Sequence, residues 1–329
     1  MRDVLFTAPA HWHWLIVVYF FFGGLSAGSY VLGALLHLFG GAQERPASRL
    51  GYLVSLPALL ACPPLLIVDL DRPERFWHLF LWSQRPGVMF KWWSPMSIGS
   101  WALLLFGAFS FVSFVGALSA DPWRPSWLPE RLAVLGRGIW GKVLAAGGAG
   151  FAFFIAGYTG VLLSVTNRPL WAETPLLGLL FTASAMAASA ALVGFVASRR
   201  GGAFVPALPW LSRMEHAAAL LELLVLLLFL AWLGPAVAAW RGPYGVLLGM
   251  AVLLGLVAPL ALTLVRARGH AARGRAARGE ASGAARGEMS GEAPGGGHEV
   301  TALGVGLVLA GSLALRAAIV LASEALGHA

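Results

Sequence analysis

HWHWLIVVYFFFGGLSAGSYVLGALLHLF (11–39) is the stretch whose reading decides the fold. From Trp14 to Phe39 it holds no Asp, Glu, Lys or Arg. A helix crossing ~30 Å of hydrocarbon needs roughly 20 such residues, so the run is long enough to span a membrane. A helix also satisfies its own backbone groups, which lipid cannot do. The small residues within FFFGGLSAGSY (20–30) form a face for close helix packing. They are not a phosphate loop, because nothing around them reads as a strand–helix turn.

Working outward, seven more apolar blocks lie near 50–69, 95–118, 139–164, 174–198, 214–234, 244–265 and 301–322. Pro209 and Pro235 blur the ends of the sixth. A β-barrel would show short alternating segments instead. The fold class is therefore an all-α integral membrane protein with eight transmembrane helices, read as two four-helix bundles. Composition agrees: 58% of the 329 residues are hydrophobic and 12% charged, against about 25% charged in soluble domains. The net charge of +8 does not indicate nucleic acid, since the cations sit between apolar blocks, where they meet membrane lipid. The single cysteine, Cys62, reads as a buried small hydrophobe and excludes a Cys-ligated iron–sulfur cluster in this protein.

Fifteen Lys and Arg fall around the loops after blocks one, three, five and seven, and seven fall in the N-terminus and the remaining loops. By the positive-inside rule both termini and the loops 70–94, 165–173 and 235–243 face away from the cytoplasm, as in a bacterial inner membrane. The sequence then divides into spans one to seven (1–266), a linker (267–300) and span eight with its tail (301–329). The linker is rich in Gly, Ala, Arg and Glu, cannot bury a core, and reads as disordered and cytoplasmic.

Ionisable groups inside a membrane are costly and mark sites or pathways. His13 enters with span one at the outer interface. Asp69 ends span two. Tyr158 lies about six residues before the end of span four, followed by Arg168 and Trp171, and Arg316 lies about six residues short of the outer end of span eight. These groups converge at one depth on one side. Arg316 has a competing reading, a side chain snorkelling to the outer interface. Glu222 lies roughly 12 Å into span six from the opposite side, which suits either a proton path or a structural salt bridge. The tryptophans at span ends, Trp171 among them, also suit ordinary interfacial belts. No span carries two mid-membrane histidines to hold haem, and no metal-ligand motif is present.

Four motifs resemble one family. HWHWLIVVYFFFGGLSAGSYVLGALLH, DLDRPERFWHLF (69–80), SPMSIGSWALLLFG (94–107) and YTGVLLSVTNRPLWAETPLL (158–177) are similar to the polysulfide reductase membrane-subunit family, NrfD/PsrC type. The likeness covers about residues 11–235 and fades through spans seven and eight. It implies a quinone-reactive anchor with no metal of its own, taking menaquinone or ubiquinone as substrate. It also implies a ferredoxin-like iron–sulfur partner that connects a molybdopterin catalytic subunit or a multihaem cytochrome to the quinone pool. The family's outer quinone site maps onto His13 and Tyr158, and Asp69 and Arg168 lie near enough in topology to assist proton transfer. From the residues themselves, Trp171 and Arg316 are further cofactor-binding candidates, and Glu222 offers a proton route from the cytoplasm as an alternative to the outer face. Arg72, Glu74 and Arg75 become partner-interface candidates. Rival readings are an ion- or proton-translocating transporter and a quinol-oxidising member of an alternative complex III-like assembly.

Overall fold

The computed structural model describes residues 12–70, 72–84, 86–166, 170–172, 174–234, 237, 240, 242–261 and 301–326. Arg168 and the linker 267–300 lie outside the described residues. Among the described residues, eight helices are long and apolar enough to cross a membrane. They are span one (Trp14–Phe39), two (Arg45–Val68), three (Pro95–Ser119), four (Gly138–Ser164), five (Leu176–Arg200), six (Gly202–Leu233), seven (Pro243–Ala261) and eight (Ala302–Ser323). The all-helical reading and the number of spans stand.

Two boundaries differ from the sequence expectation, both because of proline. Span six starts earlier than 214, since Pro209 sits in the first turn of the helix Leu208–Leu233, where its missing N–H costs no hydrogen bond. Span two starts at Arg45, with Pro46 likewise in its first turn. It breaks at Ala61, where Cys62–Val68 restarts with Pro63 and Pro64 near its head. Span seven carries a π-turn at Leu253–Val257.

Spans one and five form the buried centre, each 78% buried over its most apolar window. Span one packs against spans two, four, five and eight. Spans two, three and four continue round it, two on three and three on four, while five also packs on four, six and eight, and seven packs on eight. The small-residue face of 20–30 performs the packing expected of it. Gly24 lies against Ala185 of span five, Gly28 lies against Ser189, and the Ser189 hydroxyl donates to Leu25 O at 3.0 Å. Cys62 is fully buried with a free thiol, as read.

Candidate functional site

Consecutive residues of span one point to two separate polar clusters. Successive helix positions are turned by about 100°, so Tyr19 and Phe20 face different neighbours.

On the Tyr19 side, Tyr19 and Cys62 flank Gly23, and Tyr19 is within Coulombic reach of Tyr158. Tyr158 is 7% exposed and stacks on Phe154 at 5.6 Å between ring centroids. Its hydroxyl donates to Pro95 O at 2.9 Å. Pro95 opens span three directly after the loop 70–94, and Ser94 caps that helix by accepting from Ser97 N. The Tyr158 ring lies directly over Gly99, leaving no room for a β-carbon there. The phenol therefore ties span four to span three where the loop ends, with Tyr19 of span one in its neighbourhood.

On the Phe20 side, Arg316 is 1% exposed and Glu222 8%. The guanidinium donates from Nε to Phe20 O at 3.2 Å and from Nη2 to Phe181 O at 3.3 Å. Nη1 donates to Ser312 O at 2.9 Å, Ser312 Oγ at 2.6 Å and Ser184 Oγ at 3.3 Å. The Phe181 ring lies 5.2 Å from the guanidinium carbon. Gly24 leaves the space this group fills, since a β-carbon there would stand 2.8 Å from Nη2. The Ser184 hydroxyl also lies against the Glu222 carboxylate, and Glu222 and Arg316 attract each other electrostatically. Burial of an ion costs several kcal/mol unless its hydrogen-bonding groups are satisfied, and here the guanidinium is bonded from all three nitrogens, with the Glu222 carboxylate in the same neighbourhood.

This arrangement corrects the outer-interface reading of Arg316. The side chain does not snorkel; it turns into the bundle, where three backbone carbonyls, two serines and an acid reward the interior position. Glu222 and Arg316, read separately from opposite ends, belong to one group. Glu222 lies against the Ser184 hydroxyl within electrostatic reach of Arg316, an arrangement that fits both sequence readings, proton path and structural charge partner.

The other candidates are dispersed. His13 is exposed at the N-cap of span one, and its imidazole makes no capping bond. Seven residues, about two turns, separate it from Phe20 on the same face, so by register it stands above the Arg316 side. Trp171 is fully buried, stacks on Trp12 at 5.1 Å and donates from its indole to Ile319 O at 3.0 Å. Leu170 before it adopts φ 71°, a left-handed conformation uncommon for leucine, and is itself fully buried. Asp69 is half-buried at the C-cap of the helix Cys62–Val68, its N–H bonded to Leu65 O.

The loop 70–94 is largely exposed and holds short elements of local structure. Pro73–Leu79 forms a short 3-10 helix, and Leu81 bridges Val88. Arg72, Glu74 and Arg75 are exposed, with Arg75 3.9 Å from Glu74. Trp101 of span three holds the loop by donating to Met89 O at 3.0 Å.

Sequence reading missed several contributors. Ser312 stands four residues before Arg316, a spacing that brings side chains together on a helix. Gly99 sits within the quoted motif SPMSIGSWALLLFG. The roles of Tyr19, Ser184 and the Phe20 carbonyl left no signal in the sequence, because each depends on which spans are neighbours.

A bundle of eight apolar helices with a buried arginine and glutamate and an internal phenol defines a multi-pass integral membrane protein with a polar interior. The chain belongs to the NrfD family described as polysulphide reductase, whose model matches residues 4–274. It is similar to a selenate reductase subunit of Mesobacillus selenatarsenatis, at 27% identity over 62% of this chain and 51% of that protein. It is likewise similar to a polysulfide reductase chain of Wolinella succinogenes, at 29% identity over 54% of this chain and 55% of that one. Protein NrfD of Escherichia coli is 27% identical over 66% of this chain and 70% of its own length. The match thus spans about half the length of the first two relatives.

Proposed function

We propose that this protein is the quinone-reactive membrane subunit of a respiratory oxidoreductase complex, exchanging electrons and protons between a membrane quinone and an iron–sulfur partner. Its two-bundle division, with both termini and the loop 70–94 on the outer side of the bacterial inner membrane, is part of this reading. The observation that carries it is the position of Tyr158: a buried phenol bonded to Pro95 O, where an exposed loop enters span three.

A quinone takes up two electrons and two protons on reduction, and a hydroquinone returns them. Each carbonyl oxygen needs a group that donates or accepts a proton. The Tyr158 hydroxyl donates its hydrogen bond to Pro95 O, leaving its own oxygen to accept a hydrogen bond from a hydroquinone O–H. Turning away from Pro95 O makes the phenol a donor to a quinone carbonyl. His13, exposed at the same end, exchanges protons with solvent. The exposed Arg72, Glu74 and Arg75 are docking charges for the iron–sulfur subunit, with which the quinone exchanges its electrons. Relatives named as parts of selenate and polysulfide reductases support a place in such a complex, completed by a molybdopterin or multihaem catalytic subunit.

A second reading, proton movement through the membrane, is favoured by one observation: Arg316 and Glu222 are both buried beside Ser184 and Ser312. Purified complex separates the two. Tyr158→Phe and His13→Ala are expected to abolish quinol-linked electron transfer while the subunits still co-purify, whereas proton movement without electron transfer points to the second reading. Normal quinol turnover in both variants removes the proposed site.

A further inference from the structure

At the opposite end of the bundle from His13, spans one, two, three and four enclose a cleft of about 470 Å³. Arg45, Arg49, Arg137 and Lys142 line it together with His37 and Tyr52, and among the described residues none that lines it is Asp or Glu. The cations share one neighbourhood. Arg49 lies within Coulombic reach of Arg45 and Arg137, and His37 within reach of Arg45, Arg49 and Lys142. The carboxylate that Arg49 feels, Asp121, already binds Arg200 at 2.5 Å and the Trp123 N–H at 2.9 Å. Arg49 spends one N–H on Ala120 O at 3.0 Å.

Like charges gathered around a concavity repel one another unless an anion enters. Two further features favour one. Spans two and four both begin at this cleft, at Arg45 and Gly138, and helix N-termini carry partial positive charge and free N–H groups. Tyr52 adds a hydroxyl, 3.4 Å from His37 Nδ1. Neither His37 nor these cations has a part in the Tyr158 site, so the inference stands apart from the proposed redox function.

We propose that this cleft binds a phosphate-bearing anion, held by Arg45, Arg49, Arg137 and Lys142. A phospholipid headgroup and a free phosphate solute present the same chemistry. Ile139 also lines the cleft and is 68% exposed, with Trp140 beside it 73% exposed, so apolar surface adjoins the mouth where an acyl tail would lie.

The test uses the full-length protein in zwitterionic phosphatidylcholine nanodiscs, with thermal unfolding followed as ligand is added. The probes are inorganic phosphate, short-chain phosphatidylglycerol and short-chain phosphatidylcholine. Saturable stabilisation by phosphatidylglycerol alone assigns the headgroup; stabilisation by phosphate as well assigns a general phosphate site, and by phosphate alone a solute site. The Arg45→Gln/Arg137→Gln/Lys142→Gln variant is expected to weaken binding roughly a hundredfold at low salt, at about a fivefold step per charge. The charge-matched Arg131→Gln/Arg199→Gln/Arg213→Gln variant, altered outside the cleft, is expected to bind almost as wild type. Should the cleft variant fail to fold, the exposed single substitution Arg137→Gln carries the same comparison against Arg131→Gln. No stabilisation by either anion, equal stabilisation by phosphatidylcholine, or equal loss in the two variants overturns the site.

Discussion

The two sides of span one solve the problem of polarity inside a membrane differently. On the Tyr19 side the polar groups are phenols and a thiol, two hydroxyls and one S–H among glycine and aromatic rings. On the Phe20 side a full cation is held by three carbonyls and two serines, with a carboxylate beside it. Neutral groups can exchange partners at the smaller cost, because a buried neutral donor or acceptor left briefly unsatisfied costs about 1–3 kcal/mol. A buried charge cannot, since leaving it uncompensated costs about 3–5 kcal/mol. The first side is suited to exchange with a substrate, the second to keeping spans one, five, six and eight in place.

The largest effect expected follows from that asymmetry. Arg316→Met, which leaves Glu222 buried without its cation, should destabilise the fold by about 3–5 kcal/mol. The double variant with Glu222→Leu should recover much of that loss. Thermal unfolding in detergent of both singles and the double gives the coupling directly, and additive losses would break the claim that these residues act as one group.

Next comes the neutral side. Gly99→Ala places a methyl where the Tyr158 ring lies, and should cost about 1–3 kcal/mol while displacing the phenol. Its quinol-linked turnover should fall as in Tyr158→Phe, although Tyr158 itself is intact. Tyr158→Phe should lose only about 1 kcal/mol of stability, the net value of one hydrogen bond. Equal thermal losses in the two variants would erase the distinction between ring placement and hydroxyl chemistry.

The smallest effect lies outside both clusters. Arg75→Ala should leave stability within about 1 kcal/mol, because the Arg75–Glu74 pair is a surface one. Its effect should instead be seen as weaker co-purification of the iron–sulfur partner.

The helical class and the number of spans were legible because each apolar block is a local, contiguous signal. Ends set by Pro46 and Pro209 were harder, since proline reads as a breaker yet opens a helix equally well. Tyr158 and Cys62 could be read from their immediate surroundings. Arg316 could not: its depth in span eight follows from the numbering, but its direction depends on Gly24 and Ser184, which belong to spans far away in the sequence. The basic residues near the start of spans two and four carry a statistical signal of orientation, yet nothing linear showed that they gather around a single concavity.

The acceptor for Tyr158 is a main-chain carbonyl, Pro95 O, at the seam between the exposed loop and the third helix. No exchange of the Pro95 side chain deletes that oxygen; only relocating the helix start can. On the proposed function, a partner that presses on the loop would pull on the atom that holds the phenol's hydrogen bond, gearing assembly mechanically to the freedom of that hydroxyl.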